Sequence, residues 1–113
     1  MPTPARLRSG REIRAVFDAR NAMGTATLVV HGRPSEPTQQ CRATVVAGRR
    51  VGGAVQRNRA KRRIRAALLQ ADLPIGMDLV VTAKPPAVTA AFADVCRDLE
   101  RALGRVRARA AAA

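Results

Sequence analysis

Residues 49–65 read Arg-Arg-Val-Gly-Gly-Ala-Val-Gln-Arg-Asn-Arg-Ala-Lys-Arg-Arg-Ile-Arg. From Ala54 the spacing predicts a helix running to Asp72. At 100° per residue, Ala60, Ile64, Ala67, Leu68 and Ala71 fall on one side, while Asn58, Arg59, Arg62 and Arg65 fall on the other with Arg63 beside them. Gly52 and Gly53 allow a tight turn before it, and Pro74 and Gly76 stop it. An apolar side that must be buried and an opposite side made of cations define an amphipathic helix packed on something flat. The neighbouring segments supply the flat partner.

Upstream, Cys41–Ala47 and Thr25–His31 are rich in Val and Thr and predict two strands. A further short strand is expected near Met23–Thr27. Gly32–Gln40 contains Pro34 and Pro37 and predicts a loop. Before these, Ser9-Gly-Arg-Glu12 has the form of a capping box, in which both side chains satisfy backbone N–H groups at a helix start. Ile13, Val16 and Phe17 follow on one face, giving a helix from Gly10 to Ala19. Downstream, Met77–Ala83 is an apolar strand closed by Pro85-Pro86. A last helix over Thr89–Arg107 carries Phe92, Val95, Cys96, Leu99, Leu103 and Val106 as its stripe. Residues 1–5 and 108–113 are expected to fray. The order α-β-β-(β)-α-β-α in one chain of 113 residues describes a single α/β (α+β) sandwich, one small mixed sheet packed by helices.

Charge narrows the function. The chain has 21 Lys+Arg against 8 Asp+Glu, a formal net charge of +13, which calls for a polyanionic partner. No acid occurs between Glu36 and Asp72. That window holds Arg42, Arg49, Arg50, Arg57, Arg59, Lys61, Arg62, Arg63 and Arg65. Like charges at i, i+4 destabilise a helix, so a phosphate-binding role accounts for the segment better than an idle solvated face. Asn58 adds a neutral donor and acceptor for a sugar or base edge, and the positive end of the helix adds attraction for phosphate. A membrane reading is poor: no apolar run approaches the roughly 18 residues a spanning helix needs, and the helix's apolar side is mostly Ala, a thin anchor. Met1–Gly10 lacks an apolar stretch, so no signal peptide is expected and the cytoplasm is the default. Cys41 and Cys96 lack metal-ligand spacing and are expected to be small buried apolar groups.

The 49–65 run, centred on Arg57-Asn58-Arg59 and followed by Lys61, Arg62 and Arg65, closely resembles the signature of the bacterial ribonuclease P protein component. The opening Arg6-Leu7-Arg8, the helix with Phe17 and the strand Gly76–Lys84 resemble that family too, so the likeness spans about Arg6 to Arg105. The resemblance implies the small protein subunit of a ribozyme that removes the 5′ leader of precursor tRNA by hydrolysis of one phosphodiester bond. It implies a left-handed β-α-β crossover in place of the usual right-handed one. Its partners would be the catalytic RNA subunit and precursor tRNA, with neither membrane nor DNA. The catalytic RNA would meet Arg49, Arg50, Arg57, Asn58, Arg59, Lys61, Arg62 and Arg65. The leader would lie in a cleft at Ile13, Phe17, Val29 and His31. The chain departs from the family pattern there. Ile13 and His31 stand where aromatics are usual, Val46 where a small hydroxyl is common, and Gly53 where a polar residue is more usual. Stacking is worth roughly 1–3 kcal/mol per base, so fewer aromatics imply a weaker grip. His31 is either a stacking partner or an ordinary strand-end residue facing water.

The scattered acids give no carboxylate pair, nucleophile–base pair or metal cluster, and a protein-only nuclease would need carboxylates for metal ions. The expectation is no catalytic residue and no metal ligand in the protein, with Mg²⁺ on the RNA subunit. A ribosomal or ribosome-assembly protein is the competing reading, since it would share size, charge and fold. A DNA-binding helix is a third, disfavoured because no short turn and partner helix precede residues 54–72.

Overall fold

The computed structural model describes residues 4–112. The strands are β1 (Ala5–Arg6), β2 (Ala22–Gly24), β3 (Leu28–Pro34), β4 (Arg42–Val46) and β5 (Met77–Ala83). The helices are α1 (Gly10–Asp18), α2 (Ala54–Gln70) and α3 (Phe92–Ala112). Short 3-10 turns at Arg49–Val51 and Pro85–Val88 lead into α2 and α3. The sheet order is β1-β4-β5-β3-β2. β5 is parallel to β4 and antiparallel to β3, and β1 is parallel to β4, so the sheet is mixed, as expected. α2 connects the adjacent parallel strands β4 and β5 and is therefore the crossover helix.

Period-two alternation splits the strands between two cores. Leu28 and Val30 of β3, Ala43 and Val45 of β4, and Leu79 and Val81 of β5 join Ile64 and Leu68 of α2 and Val95, Leu99 and Val106 of α3 in the main cluster. The other face carries a smaller cluster of Leu7, Val16 and Val80, with Ile13 and Val46 packed against it. α2 lies over β4 and β5, α3 over β3 and β2, and α1 alone covers the opposite face.

Several element boundaries differ from the sequence expectation. β3 continues through Gly32, Arg33 and Pro34, which pair with Leu79, Asp78 and Met77. Gly32 is buried because α3 comes close: an added Cβ would meet Val106 Cγ1, with Met77 Cε at 2.9 Å. It is a close-approach glycine inside a strand, and Pro34 is tolerated as the strand's last residue. Ala5 and Arg6 form a strand that the sequence reading did not include, with the Ala5 N–H donating to Cys41 O at 3.0 Å. α3 extends past Arg107 to Ala112, as an Ala-rich end permits. It starts at Phe92, later than Thr89, because Pro85–Val88 forms the 3-10 turn. The remaining residues expected to fray, 1–3 and 113, lie outside the described residues.

Candidate nucleic-acid interface

Gly53 is the N-cap of α2 and gives no side-chain cap, and the first turn of the helix holds no acid. Val51, 8% exposed, anchors the preceding turn in the core. Arg49 and Arg50 on that turn are exposed. Gly52 has φ 139°, a region glycine enters without Cβ strain. Arg57 Nε donates to Gly52 O at 2.8 Å, so this arginine also fastens the turn to the helix.

Ala60, Ile64, Ala67 and Leu68 are buried as the periodicity predicts. Asn58, Arg59, Arg62 and Arg65 are exposed, and Lys61 is half-buried at the border. Two arginines of the charged window do other work. Arg63 donates to Ala87 O at 2.7 Å and to Ala90 O, tying α2 to the turn before α3. Arg42 points away from α2 onto the opposite sheet face. The helix face also carries apolar members that charge counting missed: Leu69, one turn beyond Arg65, is 50% exposed, and Val55 is 76% exposed and lines a shallow hollow with Asn58, Arg62 and Arg65. An exposed Val one turn ahead of Asn58 was visible in the spacing.

The other face of the sheet holds the candidate cleft. Strand register sets its floor in rows. Thr44, Val80 and His31 form one row, and Val46, Thr82 and Val29 the next. α1 has nine residues, too short to cover both. It buries Val16 against Val80 and leaves Phe17 39% exposed above His31. The two rings meet edge to face, centroids 4.6 Å apart and planes at 70°, a favourable arrangement. His31 is thus a mid-strand residue under Phe17, neither a strand end nor fully open to water. Burial lowers its pKa from the usual histidine value, which favours the uncharged ring. Ile13, Phe17, Val29 and His31 therefore share this face of the sheet, with Phe17 and His31 in contact and Thr44 and Thr82 as floor residues the sequence reading did not single out. Thr82 Oγ1 is buried without a hydrogen-bond partner.

An ion cluster fixes α1 over this floor. Arg42 Nε and Nη2 donate to Asp78 Oδ1 and Oδ2 at 2.9 and 2.6 Å. Its Nη1 lies 2.5 Å from Glu12 Oε2. Ser9 Oγ accepts from Glu12 N at 3.4 Å, the expected half of the capping box, but the Glu12 carboxylate turns to Arg42. Asp78 is 2% exposed; its hydrogen bond, more than any other influence, raises the Arg42 pKa and keeps the guanidinium charged. Among the described residues no group of three or more His, Cys, Asp or Glu side chains could hold a metal ion. The two best-placed carboxylates, Glu12 and Asp78, are engaged by Arg42. No helix among those residues is long and apolar enough to cross a membrane.

The sequence model of the family described as Ribonuclease P matches residues 1–107. The chain belongs to that family. A relative from Nocardioides sp., the ribonuclease P protein component, is 44% identical over 107 residues, covering 91% of this chain and 92% of the relative. The protein of that name from Beutenbergia cavernae is 38% identical over 112 residues, covering 97% and 94%. Among solved structures, the RNase P protein from Thermotoga maritima superposes with a TM-score of 0.76 at 26% identity, covering 88% of this chain and 96% of that one. The Staphylococcus aureus RNase P protein gives 0.73 at 21% identity, covering 88% and 92%, and shares the fold. Element order and crossover are consistent with these ribonuclease P structures, including the left-handed connection expected from the resemblance.

Proposed function

We propose that this chain is the protein subunit of a ribonuclease P holoenzyme. It docks the catalytic RNA on the exposed face of α2 and holds the single-stranded leader of precursor tRNA in the cleft between α1 and β3. The observation that carries the reading is the placement of the two surfaces on opposite faces of one sheet. α2 packs on one side with its cations outward, and Phe17 and His31 lie on the other. A chain of net charge +13 set between two polyanions lowers their mutual repulsion. The removal of the leader is endonucleolytic, and the catalytic groups belong to the RNA. The Mg²⁺ ions that such hydrolysis uses are assigned to the RNA as well, because the carboxylates described here are scattered or engaged by arginine.

The test is cleavage of a precursor tRNA by the cognate catalytic RNA at low Mg²⁺, with and without the protein. The expected result is restored cleavage at the mature 5′ end, with a benefit that shrinks as Mg²⁺ rises. Arg62→Gln with Arg65→Gln should lower the slope of log K against log salt for RNA assembly by roughly 1 to 2 units. Phe17→Ala should weaken leader binding by about 1–3 kcal/mol with assembly intact. Absence of stimulation while RNA binding persists would defeat the proposal and favour a ribosome-associated role.

A further inference from the structure

The β2 edge of the sheet carries arginines that neither proposed surface uses. Arg97, Arg101 and Arg105 recur every four residues along the exposed side of α3, so they stand in one stripe. The stripe winds toward β2: Arg109, next in the series, donates to Ala22 O at 3.0 Å. Asn21 donates to Val106 O at 2.9 Å, which holds its neighbour Arg20 beside the same end of α3. Arg20 has φ 55°, the left-handed conformation that closes α1 and that glycine adopts without a Cβ penalty. An exposed arginine in that position sacrifices stability for a charge at the edge.

The acids of this region are turned elsewhere. Asp94 pairs with Arg97 at 3.2 Å, and Asp98 accepts from Thr27 Oγ1 at 2.6 Å. Glu100 lies beside Asp72 and Arg107 on the α2 side of the helix. Asp18, at the end of α1, is exposed and makes no ion pair with Arg20 within 4.0 Å. Arg20, Arg101 and Arg105 thus remain uncompensated by ion pairs among the described residues.

We propose that Arg20, Arg101 and Arg105 form a phosphate-binding surface that carries the distal part of the single-stranded leader out of the cleft and over the β2 edge. This rests on the leader reading above. Two observations select the leader over the catalytic RNA. β2 borders the cleft directly, since Ala22 pairs with His31 and Gly24 with Val29. α2, the face assigned to the catalytic RNA, lies over β4 and β5 toward the opposite edge.

The experiment measures holoenzyme affinity for two precursors, one whose leader only fills the cleft and one with a longer leader, across a salt series. Arg20→Gln, Arg101→Gln and Arg105→Gln combined should cost about tenfold on the long leader. The salt slope for that precursor should fall by about 2 units, near 0.7 per phosphate on a single strand. Affinity for the short leader should be unchanged, and lysine at the same three positions should restore the long-leader slope. Equal losses on both leaders, or none, would overturn the proposal. Loss of short-leader affinity in Phe17→Ala, measured in parallel, tests the cleft separately.

Discussion

Replacing Arg42 with Met keeps the stem that packs beside the sheet and removes the charge that neutralises Asp78. The Asp78 side chain is 3% exposed, so its carboxylate would be left buried with two hydrogen bonds lost. Removing one partner of a buried pair costs about 3–5 kcal/mol. The Arg42 side chain is 25% exposed, so water relieves part of this, and about 3 kcal/mol is expected. For a domain of this size that lowers Tm by roughly 12 °C. Glu12→Gln weakens the outer arm, whose side chains are 25% and 35% exposed, and should cost less than about 1 kcal/mol. Pairing Arg42→Met with Asp78→Leu should recover most of the loss, because apolar groups of similar volume often replace a buried pair at little cost. The chain has no Trp or Tyr, so urea unfolding is followed by far-ultraviolet circular dichroism. A loss below about 1 kcal/mol for Arg42→Met, or equal losses for Arg42→Met and Glu12→Gln, would refute the account of the cluster.

Gly32→Ala should destabilise by about 1–3 kcal/mol through overpacking against Val106 and Met77, and Val106→Ala should rescue part of that in a double-mutant cycle. Arg63→Met should cost about 2 kcal/mol by orphaning the Ala87 and Ala90 carbonyls. It should leave the salt slope of RNA assembly unchanged, the reverse of Arg62→Gln. Burial, and then Asp78, push the Cys41 thiol up to about 12 from 9.0, so the fold favours the protonated form. Its contribution to stability is intact below pH 9 and is lost as pH rises toward 12, visible as a falling Tm in that range. Thiol titration at pH 8 should label half-buried Cys96 well before Cys41.

The helical and strand periods made most of the fold legible, since Ile64, Leu68, Val95 and Leu99 all occupy the core that their spacing implied. What escaped was set by contacts remote in sequence. Gly32 reads as a breaker until Val106 is seen against it. Ala5–Arg6 is too short to carry a pattern and is a strand only because β4 offers an edge. The α2 cations were legible as a group, but the separate duties of Arg42, Arg57 and Arg63 depend on Asp78, Gly52 and Ala87. Spacing gave no sign of those partners. Cys96 was expected buried and is half-exposed, at the edge of its helix stripe. Ile13, Phe17, Val29 and His31 followed from the family resemblance, whereas Thr44 and Thr82 emerge only from strand register.

The central position of β5 also dictates the order in which the protein can assemble. Met77–Ala83 enters between β4 and β3, whose residues precede it by at least thirty positions, so the strand pairs β1–β4 and β2–β3 cannot join into one sheet until β5 has left the ribosome. Such non-local pairing slows folding. During that interval the arginines of residues 49–65 belong to an unfolded polybasic stretch beside ribosomal RNA, and nonspecific binding to it competes with closure of the sheet. Synthesis at about 5–20 residues per second sets how long that competition lasts, and it ends when β5 pairs.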